Sequence, residues 1–234
     1  MARNEVLTTE TSRRVAYGPK HRRVVLASDS PRRRELMAAL VPRPAITSPR
    51  SEEAPAAPGQ APEEYAIQSS LMKARSAPTA SGPSIVVGAD TVVVHGDLIL
   101  GKPADAAEAR QMLRALRGRT HRVVTGVTVL DTESDVPRSV ATTSSVEMRQ
   151  YSDAEIAAYI ASCEPFDKAG GYAVQDATFR PAESTDGCYL NIVGLPLCDV
   201  VSLINEVGAE VDLQPDWTPP VECLDCRLSQ RAGR

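Results

Sequence analysis

The stretch Val24-Val25-Leu26-Ala27-Ser28-Asp29-Ser30-Pro31-Arg32-Arg33-Arg34-Glu35-Leu36-Met37 constrains the fold more than any other part of the chain. An apolar run of strand length meets a tight polar turn and then a helix start. Ser30 is a good N-cap, and Pro31 suits the first helical position, where its missing N–H costs nothing. Leu36, Met37 and Leu40 give the helix an apolar stripe. Arg32, Arg33 and Arg34 then stand in the first helical turn, where the macrodipole is already positive. One reading is a solvated basic face partly offset by Asp29 and Glu35. The other is a phosphate site, because helix N–H groups, serine hydroxyls and guanidinium forks converge there.

The same alternation of strand and helix continues along the chain. Residues 42–62 read as a strand and a Pro-rich loop holding the acidic pair Glu52-Glu53, and residues 63–77 as a helix carrying Lys73. Residues 85–94 are two β-branched runs interrupted by Asp90-Thr91, and His95-Gly96-Asp97 turns the chain into a return strand, residues 98–100. Asp105 and Glu108 have capping-box spacing ahead of a helix that Gly118 ends. Two long strands follow, the second marked by Val140, Thr142, Ser144, Val146 and Met148. Ser152 and Glu155 open another capped helix. Asp167 to Gln175 reads as a glycine-containing loop running into a strand, and residues 197–207 as a last helix. The expected class is α/β, a mixed twisted sheet flanked by helices. The expected organisation is an extension without fixed structure over 1–21, one domain over 22–208, and a tail over 209–234.

Composition excludes several functions. A net charge of −4 over 234 residues is no footprint for a nucleic-acid polymer, and 4% aromatic content offers few stacking platforms. No apolar run is long enough to span a membrane, and residues 1–23 lack a secretory apolar core. Five irregularly spaced cysteines predict no disulfide framework, and a cytoplasmic location. Cys223 and Cys226 form a CxxC, but no second ligand pair accompanies it, so structural zinc is not expected.

Asp90 is the residue that calls for chemistry. A carboxylate between runs of Val and Ile needs a cation, a donor or water. With Glu53, or Glu52 in its place, it offers hard oxygen ligands for Mg²⁺ or Mn²⁺. Lys102 lies between Gly101 and Pro103, and Lys168 beside Ala169-Gly170-Gly171. Together Arg32, Arg33, Lys73, Lys102 and Lys168 supply enough positive charge for a polyphosphate. That combination points to metal-assisted attack of water on phosphorus. No P-loop, GxGxxG, GxSxG or HExxH pattern is present.

Six segments, in order, complete the picture: Ala27 to Leu36, Gly88 to Val93, Leu100-Gly101-Lys102-Pro103, Thr120 to Val127, Asp167 to Gln175, and Gly194-Leu195-Pro196-Leu197. On these the chain resembles the Maf family of nucleoside triphosphate pyrophosphatases, over roughly residues 22–207. The resemblance implies two lobes around a central cleft and a homodimer. It implies that Asp90 and Lys102 are catalytic, that Ser30, Arg32, Arg33, Lys73 and Lys168 hold phosphates, and that Glu53 and Asp90 hold the metal. Arg32, Thr91 and Gln175 resemble the branch acting on dTTP and UTP, in which Gln175 matches the imide edge of the base. A 7-methyl-GTP pyrophosphatase is the alternative substrate class. A non-catalytic regulator is a further alternative, because family members have been associated with septum formation. Asp176 departs from the family's glycine, and Ser69-Ser70 from its Leu-Ala. Because a first-turn cation adds little stability without its anion, Arg33→Ala is expected to weaken catalysis more than it weakens the fold.

Overall fold

The computed structural model describes residues 22–51, 54–79, 82–215 and 223. Its elements run β1 (Arg23–Ala27), α1 (Pro31–Leu40), β2 (Ala45–Thr47), α2 (Pro62–Ser76), β3 (Ser84–His95), β4 (Leu98–Leu100), α3 (Ala106–Leu116), β5 (Thr120–Asp131), β6 (Val136–Met148), α4 (Asp153–Ala161), β7 (Ala182–Asp186), α5 (Tyr189–Val193) and α6 (Leu197–Glu206). Two short 3-10 turns, Glu164–Asp167 and Ala169–Gly171, lie between α4 and β7. The strands form one seven-stranded mixed sheet in the order β2-β1-β3-β5-β6-β7, with β4 also on β3. β1 is parallel to both neighbours, and β3, β5, β6 and β7 are antiparallel in turn.

The predicted signals set most of the element ends. Ser30 caps α1, its hydroxyl accepting from Arg33 N, with Pro31 in the first turn. Ser152 and Glu155 form a full capping box on α4. Asp105 caps α3 as expected, but Glu108 reaches past it to accept from Ala104 N, so the reciprocal half of that box is not made.

The expected strand at the end of the Asp167–Gln175 loop is a correction. Gly170 and Gly171 both take left-handed φ, near +70°, which breaks an extended run. Asp176 then accepts from Thr178 N and Phe179 N, closing a turn where the family's glycine would not. The strand comes later, as β7.

On one face of the sheet α2 lies unusually close to the strands. A Cβ on Gly88 would sit 2.2 Å from Ser70 O, and one on Gly126 would sit 2.2 Å from the Ala66 carbonyl. Ser70, at this contact, shares a hydroxyl hydrogen bond of 2.7 Å with Thr128. The departure at Ser69-Ser70 is thus a small, polar helix face lying on the sheet.

The other face carries two separate apolar clusters. Ile85, Val87 and Ala89 of β3 join Val127 and Val129 of β5 under α1 and α6. Val93 and Val123 join the cluster under α3 and α4. Between the two, Thr91, Thr125 and Thr142 stand side by side in register on β3, β5 and β6. These clusters are the two lobes, and the threonines mark their seam.

Beyond α6 the described residues stay on the domain. Arg22 N donates to Glu210 O, Gln214 N donates to Leu40 O, and buried Cys223 joins the α1–α6 cluster. Residues 1–21 and Cys226 lie outside the described residues. Cys163 and Cys188 are free thiols, whereas Cys198 is disulfide-bonded. No described helix is long and apolar enough to cross a membrane.

Candidate active site

The site follows from a gap in the sheet. Along one edge of β3, β1 pairs with Ser84 to Gly88 and β4 with Val93 to His95. Among the described residues, no strand pairs with 89–92 on that side. The carboxyl end of β1 and the middle of β3 open onto this notch, beside the N-terminus of α1. Because β1 sits between β2 and β3, the notch lies where the connections leave in opposite directions, the usual ligand position in such sheets. A cleft of about 280 Å³ occupies it, lined among others by Ser30, Arg32, Arg33, Lys73, Asp90, Thr91, Lys102, Lys168 and Gln175. All the described residues singled out from sequence therefore meet in one place. Glu53, the second expected metal ligand, lies outside the described residues.

Asp90 is buried at the floor of the notch, and Lys73 Nζ lies 2.5 Å from its Oδ1. The glycine-mediated approach of α2 to the sheet brings Lys73 this near. An ammonium at that distance gives the carboxylate a fixed direction and a countercharge. No group of three His, Cys, Asp or Glu side chains among the described residues could hold a metal ion alone. Mg²⁺ is commonly held by one or two carboxylates together with substrate phosphates. A hard oxygen donor in a cleft lined by cations suits that arrangement.

Arg33 lines the cleft but also has internal partners that the sequence did not show. Its Nε donates to Gly194 O at 2.8 Å, Nη1 to Ala89 O at 2.9 Å, and Nη2 to Thr91 Oγ1 at 2.9 Å. It satisfies the carbonyl that the missing strand leaves exposed at the notch and ties α1 to β3 and to the chain before α6. Truncating it removes three internal hydrogen bonds. Arg33→Ala therefore costs the fold more than a first-turn cation without internal partners would: this guanidinium is part of the frame.

The remaining cations differ in their commitments. Arg32 forms an ion pair of 3.3 Å with Asp167, joining the first turn of α1 to the opposite lobe. Lys168 is buried and donates to Glu164 O, Glu164 Oε2 and Asp167 Oδ1, all within its own segment. Burial pushes the Asp167 carboxyl up, but the Lys168 hydrogen bond and the Arg32 charge outweigh it and leave it below the usual carboxylate range. Lys102 and Gln175 stand exposed on the rim.

Sequence reasoning missed a buried pair behind the cleft. His121 Nε2 lies 2.6 Å from the hydroxyl of Tyr172, which lines the cleft. Nδ1 of His121, Nδ1 of His95 and Oδ1 of Asn191 are buried with no hydrogen-bond partner among the described residues. Burial, helped by the nearby His95, pulls His121 from 6.5 down to about 4. The unfolded chain protonates this histidine near 6.5, while the native chain keeps it neutral to about 4. Its contribution to stability is therefore intact above about pH 6.5 and falls as pH drops toward 4, by about 3 kcal/mol in all. Chemical denaturation from pH 8 to 4 should show this slope in the wild type and a shallower one in His121→Gln.

Comparisons with known proteins give the chain its family. The model of the family described as Maf-like protein matches residues 23–207. The chain belongs to the Maf family. Among curated Maf relatives, a dTTP/UTP pyrophosphatase of Dehalococcoides mccartyi is 39% identical over 205 residues, covering 88% of this chain and 91% of that protein. One of Thermomicrobium roseum is 44% identical, over 88% of this chain and 94% of its own. One of Methanosarcina mazei is 40% identical, over 81% and 96%. The matched Maf region begins at β1 and ends just after α6, so it contains every described element that lines the cleft.

Proposed function

We propose that this protein hydrolyses dTTP and UTP to the nucleoside monophosphate and pyrophosphate. The observation that carries the reading is the Asp90–Lys73 pair at the floor of a notch lined by arginine and lysine. The relatives named dTTP/UTP pyrophosphatase support the substrate class.

In this reading the triphosphate lies across the N-terminus of α1, where backbone N–H groups and the Ser30 hydroxyl face it. Asp90 orients a water and accepts its proton as the oxygen bonds to the α-phosphorus. The bond from that phosphorus to the α–β bridging oxygen breaks, and pyrophosphate leaves with the electron pair. Arg32, Lys73, Lys102 and Lys168 are the cations disposed to offset the leaving group's charge, which favours the transition state over the substrate. For Arg32 and Lys168 this means exchanging Asp167 or Glu164 for phosphate oxygens. Asp90 and Glu53 would hold a divalent cation, Mg²⁺ or Mn²⁺, which when bound further neutralises the phosphates. Gln175 reads the base from the rim with an amide that both donates and accepts. A cytoplasmic location, where nucleoside triphosphates are made and used, goes with this reading.

The test is pyrophosphate release, with Mg²⁺ or Mn²⁺, from dTTP, UTP, CTP, GTP and 7-methyl-GTP. The highest kcat/KM values are expected for dTTP and UTP, with the ranking shifted in Gln175→Glu. If 7-methyl-GTP is the best substrate, the branch is wrong. Without pyrophosphate release from any of the five, the enzymatic reading gives way to a regulatory protein.

A further inference from the structure

The threonine seam has a direction. Arg33 Nη2 lies 2.9 Å from Thr91 Oγ1, Thr91 Oγ1 lies 2.9 Å from Thr125 Oγ1, and Thr125 Oγ1 lies 3.1 Å from the backbone carbonyl of Asn191. The guanidinium can only donate, so the Thr91 oxygen accepts from it. The carbonyl can only accept, so the single Thr125 proton points there. The proton shared by the two hydroxyls must then be the one on Thr91. Each bond in the chain Arg33 to Thr91 to Thr125 to Asn191 is made only with this polarity.

The ends of the chain are fixed. Thr125 and Asn191 are wholly buried. Asn191 is itself held by its Nδ2, which donates to Val123 O and to Ser144 Oγ. Arg33 is held by its other two bonds, to Gly194 O and Ala89 O. Thr91, in the middle, lines the cleft. Its proton is directed inward and one lone pair is taken by Arg33. A hydroxyl has two lone pairs, so what it retains for a ligand is acceptor capacity.

We propose that Thr125 is a positioning residue that turns the Thr91 hydroxyl into an obligate acceptor, selecting bases that present an N–H over bases that present a bare ring nitrogen. This rests on the pyrimidine triphosphate reading above and deepens it. Uracil and thymine carry a hydrogen on N3 and can donate to Thr91. Cytosine presents N3 as a lone pair, and two acceptors then face each other without a proton between them. A site built in this way rejects the mismatched base because a buried polar group is left unmatched.

The experiment compares kcat/KM for UTP and CTP in the wild type, Thr125→Val and Thr125→Ser. Valine keeps the shape of threonine but removes the acceptor that holds the Thr91 proton, so that proton becomes available to the N3 of cytosine. The UTP preference is expected to fall about tenfold in Thr125→Val, the worth of one neutral hydrogen bond, and to hold within about twofold in Thr125→Ser. A purely structural role for Thr125 would lower both substrates together and leave the ratio alone. A folded Thr125→Val enzyme with an unchanged ratio overturns the proposal, as does Thr125→Ser losing as much preference as valine. Thr125→Ala is read in the same way if the valine variant is not recovered folded. The wild type gives a check that needs no variant: N3-methyl-UTP, which has no N3 hydrogen, is expected to be turned over as poorly as CTP, and turnover at the UTP level overturns the proposal. An enzyme that releases no pyrophosphate from UTP or dTTP sinks the functional reading instead, an outcome distinct from an active enzyme whose ratio does not move.

Discussion

Asp90→Asn is expected to lower kcat/KM for pyrophosphate release by about 10²–10⁴-fold, the usual range for removing a positioned proton acceptor. Asparagine keeps the shape and one carbonyl acceptor but cannot take a proton. It also removes the negative charge that lies 2.5 Å from Lys73 Nζ at a buried position. Breaking a buried pair by removing one charge costs up to about 3–5 kcal/mol, so a loss of rate could reflect a loss of fold. Melting temperature therefore has to be recorded beside the rate. The double variant Asp90→Asn with Lys73→Met removes both charges. It is expected to melt above the single variant while staying inactive, which separates the two effects. Turnover near the wild-type level in a folded Asp90→Asn protein would sink the catalytic assignment.

A large effect on stability alone, away from the cleft chemistry, is expected at Gly126. An alanine Cβ there would lie 2.2 Å from both the carbonyl carbon and the oxygen of Ala66, and 2.6 Å from Ile67 N. All three are backbone atoms of α2, so no rotamer change relieves the contact. Either the helix moves off the sheet or the strand bends. Overpacking of this kind costs about 3 kcal/mol or more, roughly 6–12 °C in melting temperature for a domain of this size. Gly101→Ala is the control, because a Cβ there meets nothing within 4 Å; its melting temperature is expected to stay within about 2 °C of the wild type. Gly126→Ala should also lower activity beyond its share of unfolded protein, because α2 carries Lys73 to Asp90. A variant that melts like the control would mean that α2 does not press on the sheet as described.

These two positions show what could be read in advance. Asp90 was legible because a carboxylate among valines contradicts its surroundings, and such contradictions survive without coordinates. α1, α4 and the β3–β4 turn were legible because caps and turn residues act locally. Thr125 was not legible: a threonine in a valine-rich strand is ordinary β-sheet composition. It acquires meaning only when register sets it beside Thr91 and Thr142. The internal hydrogen bonds of Arg33 were not legible for a related reason. Its place in the first turn of a helix is a local fact, whereas Ala89 O is exposed only because β1 stops at Gly88, a long-range one. β7 was missed because Ala182-Glu183-Ser184-Thr185-Asp186 has no apolar alternation. It is an edge strand, set by pairing with β6 and not by burial.

β3 and β5 are twelve residues each and run unbroken through both apolar clusters. The two lobes are therefore not joined by a linker that can swivel; they are halves of the same stiff ladder. Widening or narrowing the cleft by rigid rotation would have to shear or twist that ladder across its whole length. The compliance available to a ligand lies in the parts that are not strand: the loop before α1 and the 3-10 turns that carry Asp167 and Lys168. The floor acts as a fixed template and the rim as its adjustable jaw. Changes at the threonines or at Gln175 should then alter which base is accepted, and changes at the 3-10 turns how fast products depart.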